Sequence, residues 1–210
     1  MRIKRKIKNR LLLIGSLFLL SGFIIISIDF FLNVKLKESE KQAIDKFYKE
    51  EEVIDIESFN NDTFEDETTS DEELNYIGII KIPKINLERG LVSPYSYQNN
   101  VDKNIAFVKP YTLPDKQYGN VILASHSGNS SVSFFRKLDK LSINDEIIID
   151  FNKESYFYKV VNIYDVEKTG KAVINRNRYK NTLTLITCRD GTNKQIIVVS
   201  ELERKEKWQS

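Results

Sequence analysis

The chain has very few residues that can bind a metal or act as a nucleophile. Its 210 residues include one cysteine, Cys188, and one histidine, His126. One Cys and one His cannot by themselves supply the four ligands of a zinc site. The sequence also has no glycine-rich phosphate loop, no internal repeat and, after the first ten residues, no basic patch interleaved with aromatic residues. We therefore expect no metal, no cofactor and no nucleic-acid partner.

The two unique residues occupy similar places in the sequence. Cys188 ends the alternating run Thr182–Cys188, and His126 ends a second run, Gly119–His126. Each has an ordinary explanation when taken alone, because a lone Cys is usually a small buried residue and a lone His is usually structural. Together they supply a thiol and an imidazole that can adjust its ionisation, which is the minimum for thiol acyl transfer.

The beginning of the sequence predicts a membrane anchor. Residues 1–10 carry six positive charges and no acid, and the 18 residues Leu11–Ile28 are uncharged. This length is just enough to cross a bilayer core. Positive flanks stay in the cytoplasm, so we expect a transmembrane anchor at 11–32 with the rest of the chain outside. The alternative is a cleaved signal peptide, but the apolar run is long and no small-x-small site follows it. A free thiol outside the cytoplasm is normally avoided, which favours a functional role for Cys188.

An acidic segment separates this anchor from the apolar part of the chain. From Glu50 to Glu73 there are twelve acidic residues and no Lys or Arg. Such a segment cannot bury enough surface to fold, so we interpret 33–75 as a stalk and solvated tether, with a binding tail as the alternative. Lys35–Lys49 has weak helical spacing and can continue the anchor helix. Residues 203–210 form a charged C-terminal tail.

Residues 76–202 predict one mostly β domain. Short runs rich in Ile, Val, Tyr and Phe alternate with turn residues, and the segment is long enough for a single core. Phe134, Leu138 and Leu141 predict one helix at about 131–140. Eight strands with one or two short helices favour a closed barrel, which leaves no free sheet edge. The predicted strands are 76–82, 85–91, 105–108, 119–124, 146–151, 155–165, 182–188 and 195–202.

Three of these segments together resemble the sortases, membrane-anchored cysteine transpeptidases of Gram-positive bacteria. Tyr76–Leu87 resembles the opening strand motif of that family, Gly119–His126 resembles the segment with its catalytic histidine, and Thr182–Cys188 resembles the strand that ends on its nucleophile. The resemblance covers roughly 76–202. It implies an eight-stranded sortase barrel and a substrate with an LPxTG-like sorting signal, as on surface proteins or pilins. It also implies a thioacyl intermediate resolved by an amine of a cell-wall precursor or a pilin lysine.

The chemistry of the Cys–His pair agrees with this resemblance. Cys188 would attack the carbonyl carbon of a Thr–Gly-type bond, and His126 would protonate the leaving amine and later deprotonate the incoming one. The tetrahedral oxyanion needs a hydrogen-bond donor, and such donors are worth roughly 3–4 kcal/mol where they have been removed. The resemblance implies that an arginine on the strand after the cysteine supplies this donor.

This chain departs from the family at that arginine. Between Cys188 and Leu202 the only arginine is Arg189, and the next strand begins with Lys194 and Gln195. A two- or four-residue loop centred on Gly191–Thr192 pairs Arg189 with Lys194 and Cys188 with Gln195, and directly opposed residues share a face of the sheet. We therefore expect Gln195 beside the thiol, with Arg189 and Lys194 on the opposite face. Gln195 is the preferred oxyanion donor, and Arg189 and Lys194 remain alternatives.

The connection before the nucleophile strand bears on the substrate. By resemblance, Val166–Asn181 lines the groove for the sorting signal, where Val173 and Ile174 can contact an apolar substrate residue or simply pack. The connection has no long helical insertion, and the tether has no aromatic–proline lid motif. The missing lid motif favours a sortase other than the lidded, pilin-polymerising type.

The main alternative is non-enzymatic. A sortase-fold module that has lost its arginine could bind peptide without cleaving it, although retention of both Cys188 and His126 favours catalysis. A papain-like protease would place its Cys first, on a helix, with its His later. An L,D-transpeptidase carries a second histidine close before its Cys, and this sequence has none.

Overall fold

The structure, a computed structural model, describes residues 2–49 and 75–208. Most of the acidic tether therefore lies outside the described residues. The chain divides into two compact units, residues 1–41 and residues 42–210. The second unit contains the last turns of the helix together with all the strands.

A single helix, α1, runs through Arg2–Lys49. From Gly15 onward it is long and apolar enough to cross a membrane. Its polar side chains in the apolar run bond within the helix, since Ser21 Oγ donates to the Phe18 carbonyl and Ser27 Oγ donates to the Phe23 carbonyl. Such bonding satisfies hydroxyl groups where no water is available. The helix is consistent with the predicted anchor and stalk, while its orientation and retention in the mature protein stay predictions.

Eight strands follow, close to the positions that alternation predicts. The first, fifth and seventh strands have the predicted bounds, and the longest two strands extend further than predicted. The strands are β1 (Tyr76–Ile82), β2 (Leu87–Val92), β3 (Ala106–Phe107), β4 (Asn120–Ala124), β5 (Glu146–Phe151), β6 (Glu154–Glu167), β7 (Thr182–Cys188) and β8 (Lys194–Lys207).

The strands form one sheet in the order β2-β1-β5-β6-β8-β7-β4-β3. All neighbours are antiparallel except β4 and β7, which run parallel. The sheet curls into a nearly closed barrel, which confirms the predicted mostly β, eight-stranded fold. The parallel pair matters most for the site, because the ends of parallel strands lie at the same edge of the sheet.

One apolar core fills the barrel. Alternate residues of the neighbouring strands β7 and β8 point into it, including Leu183 and Leu185 of β7 and Ile196 and Val198 of β8, all no more than 2% exposed. Alternation places the intervening residues on the other face of the sheet. Cys188 and Gln195 belong to that other face, because each is one residue removed from an inward-facing position.

The end of α1 packs on the outside of the barrel. Ala43, Ile44 and Phe47 lie against a small cluster of buried residues formed by Tyr76, Ile79 and Val92. These helix residues belong to the same compact unit as the strands. The last turns of the predicted stalk are therefore packed on the domain.

Polar and aromatic contacts reinforce that packing. Tyr48 Oη donates to Asp150 Oδ2 at 2.5 Å. The Phe47 and Tyr48 rings lie 5.6 and 5.2 Å from the Trp208 ring, between centroids. Trp208 Nε1 donates to Ser155 Oγ at 3.0 Å. The segment interpreted as a C-terminal tail thus continues β8 to Lys207 and contacts the end of the helix.

The helix predicted at 131–140 is wrong. Only Leu138–Lys140 is helical, as a single 3-10 turn. The amide of Phe135 donates to the carbonyl of His126 at 3.1 Å, and the neighbouring amides bond three residues back. Phe135 and Leu138 are both 0% exposed, so their spacing reflects packing into the core of a turn-rich connection.

Candidate active site

The parallel pairing of β4 and β7 brings the two candidate catalytic residues to one edge of the sheet. Ala124 lies opposite Ile186, so His126 and Cys188 each follow two residues later. At the other end of the same pair, Asn120 Oδ1 accepts hydrogen bonds from the hydroxyls of Thr182 and Thr184 at 2.9 and 3.0 Å. These buried bonds hold the two strands in register along their length.

Two further hydrogen bonds bracket the candidate pair. Thr187 Oγ1 donates to the Ser125 carbonyl at 2.7 Å. Ser127 Oγ donates to Asp190 Oδ1 at 2.8 Å. The residues before and after His126 are thus tied to residues before and after Cys188. The structure brings together the two residues that the sequence singles out.

The His126 imidazole is partly open to solvent and has a carboxylate partner. Its side chain is 42% exposed, and Nε2 lies 2.9 Å from Oδ1 of Asp102. Its backbone carbonyl accepts the Phe135 amide. The backbone of His126 is therefore held by a hydrogen bond from the core residue Phe135. Its ring contacts Asp102, which lies on the connection between β2 and β3.

Cys188 is a free, half-buried thiol at the rim of a cavity of about 260 Å³. Charged side chains of both signs line this cavity, so it can receive a polar or charged group next to the thiol. The lining residues are Ser127, Phe135, Arg136, Asp139, Thr187, Cys188, Arg189, Asp190 and Ile196.

The hairpin after Cys188 has the predicted register. Cys188 lies opposite Gln195, and the Arg189 amide donates to the Lys194 carbonyl at 2.9 Å. Four residues, 190–193, connect the paired Arg189 and Lys194, and the Thr192 amide donates to the Arg189 carbonyl at 3.2 Å within this loop. Gly191 has a φ of +70°, which a glycine adopts without strain. This is the four-residue form of the predicted loop.

The Arg189 guanidinium is held by a carboxylate of β6. Its Nε and Nη2 donate to Asp165 Oδ1 at 3.0 and 2.7 Å. Asp165 pairs across the ladder with Ile196, a core residue one position from Gln195. The hydrogen-bonded contact with Asp165 raises the pKa of the Arg189 guanidinium. Lys194 pairs with Glu167 on the same face and is exposed.

The predicted groove residues lie over the face that carries Cys188. Tyr164 Oη donates to the Val173 carbonyl at 2.8 Å and accepts from the Asn175 amide at 2.9 Å. Tyr164 pairs with Ile197, which pairs with Ile186, two residues before Cys188. Val173 is 76% exposed and Ile174 is partly exposed, so both remain open to a ligand.

Two residues at this end of the barrel had no sequence signal. Arg136 lines the cavity beside Cys188, and its guanidinium donates to the carbonyls of Ser130 and Ser133 at 2.7 and 3.2 Å. Asp102 reaches His126 from a different connection. Both residues reach the site through contacts between segments far apart in sequence, and local sequence patterns do not predict such contacts.

The part of the chain that the structure describes contains no group of three or more His, Cys, Asp or Glu residues able to hold a metal ion.

Comparison with known proteins agrees with this site. Residues 80–203 match the Sortase domain family, which covers more than half of the chain. The chain belongs to the sortase family, a family of transpeptidases.

The chain is similar to several individual sortases. The chain is similar to Sortase D of Bacillus subtilis, at 27% identity over 111 residues, 53% of each protein. The match thus spans about half the length of that curated relative. The fold is similar to a Sortase D5 transpeptidase of Clostridium perfringens (TM-score 0.58, 24% identity, 80% of this chain and 98% of that one). It is also similar to sortase A of Listeria monocytogenes (TM-score 0.54, 25% identity, 64% and 92%).

Proposed function

We propose that this chain is a cysteine transpeptidase that cleaves an LPxTG-like sorting signal. It transfers the acyl group from a Cys188 thioester to an amine of a cell-wall precursor or a pilin. The observation that supports the proposal is the pair of hydrogen bonds, Thr187 to Ser125 and Ser127 to Asp190, which tie the residues on either side of His126 to residues on either side of Cys188.

In the first half-reaction the Cys188 thiolate attacks the carbonyl carbon of the scissile bond. The tetrahedral intermediate collapses as the C–N bond breaks, and His126 in its imidazolium form gives its proton to the leaving amine. In the second half-reaction the incoming amine attacks the thioester, His126 takes its proton, and the C–S bond breaks. The thiolate and imidazolium are thereby regenerated.

The oxyanion donor in this proposal is the side-chain amide of Gln195. It lies opposite Cys188 on the same face of the sheet and is partly exposed. Arg189 is a weaker candidate, because its guanidinium is held by Asp165 on the other face. Lys194 shares that other face. A neutral amide stabilises an oxyanion less than a guanidinium does, so we expect modest turnover.

The substrate groove in this proposal runs along the face that carries Cys188, under Val173 and Ile174. The Tyr164 hydroxyl donates to the Val173 carbonyl and accepts from the Asn175 amide, and these two hydrogen bonds hold this part of the connection in place. The apolar residue of the sorting signal would contact these two side chains. The surface proteins or pilins that carry such a signal are expected outside the cell, where α1 as a single-pass anchor would hold the catalytic domain.

The second candidate function is a peptide-binding module with little or no catalysis. The observation that favours it is the placement of Gln195 where the family has its arginine. Both candidates bind the same class of peptide, so binding alone does not separate them.

Turnover separates the two candidates. The full chain in detergent micelles is given a fluorogenic LPxTG-like peptide and a glycine-based amine, and a thiol-reactive LPxTG-like peptide is used to label the site. We expect labelling at Cys188, together with cleavage and formation of the amine-linked product. Reversible peptide binding by wild type without either product would instead support the binding module.

A further inference from the structure

We propose that Asp102 is a positioning residue for His126. Its carboxylate accepts a hydrogen bond from Nε2 of the imidazole, which leaves Nδ1 as the nitrogen that exchanges protons at the thiol. This inference rests on the proposed function, since it explains how His126, the general acid and base of that reaction, is oriented. Asp102 touches neither substrate nor thiol in this role and acts only through His126.

The contact defines the protonation of one ring nitrogen. His126 Nε2 lies 2.9 Å from Asp102 Oδ1. An ionised carboxylate can only accept hydrogen bonds, so Nε2 must carry the hydrogen. The ring is then either the neutral Nε2–H form or the imidazolium, and in both forms Nε2 is committed to Asp102. The hydrogen bond made by one ring nitrogen decides the role of the other.

Asp102 is exposed, but the loop that presents it is well ordered by its own hydrogen bonds. The Asp102 amide donates to Asn100 Oδ1 at 2.9 Å. The Asn100 carbonyl accepts from the amides of Lys103 and Asn104 at 3.0 and 2.7 Å. Asn104 is 4% exposed, and its Nδ2 donates to the Gln98 carbonyl at 3.1 Å. These bonds form a compact turn with Asp102 at its outer edge.

A second set of bonds ties this turn to the barrel. Asn99 Nδ2 donates to the carbonyls of Pro94 and Phe107, at 3.1 and 3.3 Å. The Phe107 amide donates back to Asn99 Oδ1 at 2.7 Å. Phe107 belongs to β3, which pairs with the strand that leads to His126. The Asp102 backbone is thus fixed relative to β4.

The order of this turn determines whether the exposed Asp102–His126 ion pair can orient the imidazole. Exposed pairs usually contribute little, because two long side chains must be immobilised. The Asp102 side chain is 75% exposed, but Asp is short and its backbone is already fixed. The His126 backbone is likewise held by the Phe135 amide. Little freedom remains to be lost when the pair forms, so the carboxylate can orient a ring that is otherwise 42% exposed.

The first test is spectroscopic and requires no activity. Because His126 is the only histidine, a ¹⁵N-histidine-labelled full chain in micelles gives the signals of a single imidazole. With the ring in its neutral form, we expect the Nε2–H tautomer in wild type, with a directly observed and slowly exchanging Nε2–H proton. Asp102→Ala should lose that proton signal through solvent exchange. Asp102→Asn, which keeps an acceptor oxygen, should retain it.

The second test is kinetic. We expect Asp102→Ala to lower kcat about three- to tenfold with KM little changed, since the full contribution of a general acid–base residue is about 10²- to 10⁴-fold and only its orientation is lost. Asp102→Asn should recover most of the loss. The matched control is Asp115→Ala, which removes another exposed carboxylate, on the connection that enters the opposite end of β4.

Three results would overturn the inference about Asp102, and a fourth would count against the proposed function. An Nδ1–H tautomer in wild type, or an unchanged spectrum and kcat in Asp102→Ala, would overturn the inference. A rise in kcat for Asp102→Ala would overturn it as well, because Asp102 would then restrain the ring in an unproductive orientation. An inactive wild type with an intact Nε2–H signal would count against the proposed function while leaving the Asp102 contact established.

Discussion

At the scale of single residues, hydrogen bonds made by neighbouring residues position the two candidate catalytic residues. His126 and Cys188 have no structural feature of their own that fixes them together, but Ser125 and Ser127 are bonded to Thr187 and Asp190. In the proposed mechanism the two side chains act as one unit, because neither the thiol nor the imidazole alone can complete the proton transfers.

We therefore expect Cys188→Ala to abolish both cleavage and transfer, and His126→Ala to cost nearly as much. The double variant should be no worse than the single variants, since members of a catalytic unit are strongly non-additive. Steady-state turnover of an LPxTG-like peptide with an added amine measures all three. Transpeptidation retained by purified Cys188→Ala would exclude the thioester mechanism.

The oxyanion donor gives the second prediction at this scale. Gln195→Ala should lower kcat/KM roughly 10- to 1,000-fold, in line with the loss of one oxyanion donor. Gln195→Arg should be tolerated and should raise activity, because a positive charge beside the thiol favours the thiolate.

Arg189→Ala is the matched control for Gln195, because the Arg189 side chain is bound to Asp165 on the opposite face. We expect it to retain most of the activity. Folding of each variant is checked by far-UV circular dichroism. A crippled Arg189→Ala beside a near-normal Gln195→Ala would assign the donor to the arginine.

At the scale of elements, the end of α1 is part of the domain that carries the site. Phe47 packs both on the cluster of Tyr76, Ile79 and Val92 and against Trp208. Tyr48 bonds to Asp150, a residue 2% exposed that also pairs with Lys81 at 2.7 Å. A buried carboxylate needs such partners, because burying a charge without them is costly.

Phe47→Ala should therefore lower the free energy of unfolding by about 1–2 kcal/mol, less than a fully buried Phe because its ring is only half-buried. Trp208 is the only tryptophan, so the tryptophan fluorescence reports the surroundings of this one ring, which include Phe47. We expect its emission to move to longer wavelength.

Tyr179→Ala serves as the control for Phe47→Ala, since that ring is 84% exposed. It should leave both the emission and the unfolding midpoint unchanged. Unaltered Trp208 emission in Phe47→Ala would mean that the helix end does not pack on the domain in solution.

At the scale of the whole molecule, charge and apolar length determine the expected placement in the cell. Six positive charges precede the apolar run, and the twelve acids of the tether follow the stalk. The positive flank is expected in the cytoplasm and the catalytic domain outside. A sorting signal on a secreted protein is accessible only on that side.

Protease added to intact protoplasts should release a fragment that begins within residues 50–73, because the acidic composition of this segment predicts a solvated tether, and such segments are preferred cleavage sites. The fragment is mapped by N-terminal sequencing. The same treatment of Cys188→Ala should give the same fragment, since topology does not depend on catalysis. Full protection of the domain, or a mature protein that starts beyond residue 28, would contradict the uncleaved anchor.

Local patterns in the sequence determined most of the fold. Alternating Ile, Val and Thr residues predicted all eight strands, because side chains on a strand alternate between core and solvent. The family followed from three strand segments in order. The pairing of Cys188 with Gln195 also followed, since a hairpin is a local structure whose register depends on the few residues of its turn.

Tertiary structure decided what depends on contacts between distant segments. The predicted helix at 131–140 gave way to turns, because burial of Phe135 and its bond to His126 outweighed a weak local preference. The partner of Arg189 comes from another strand, and Asp102 reaches His126 from another connection. Trp208 meets Phe47 across more than 150 residues of chain. A sequence pattern reports the environment of one segment, whereas these contacts arise only when barrel closure brings separate segments together.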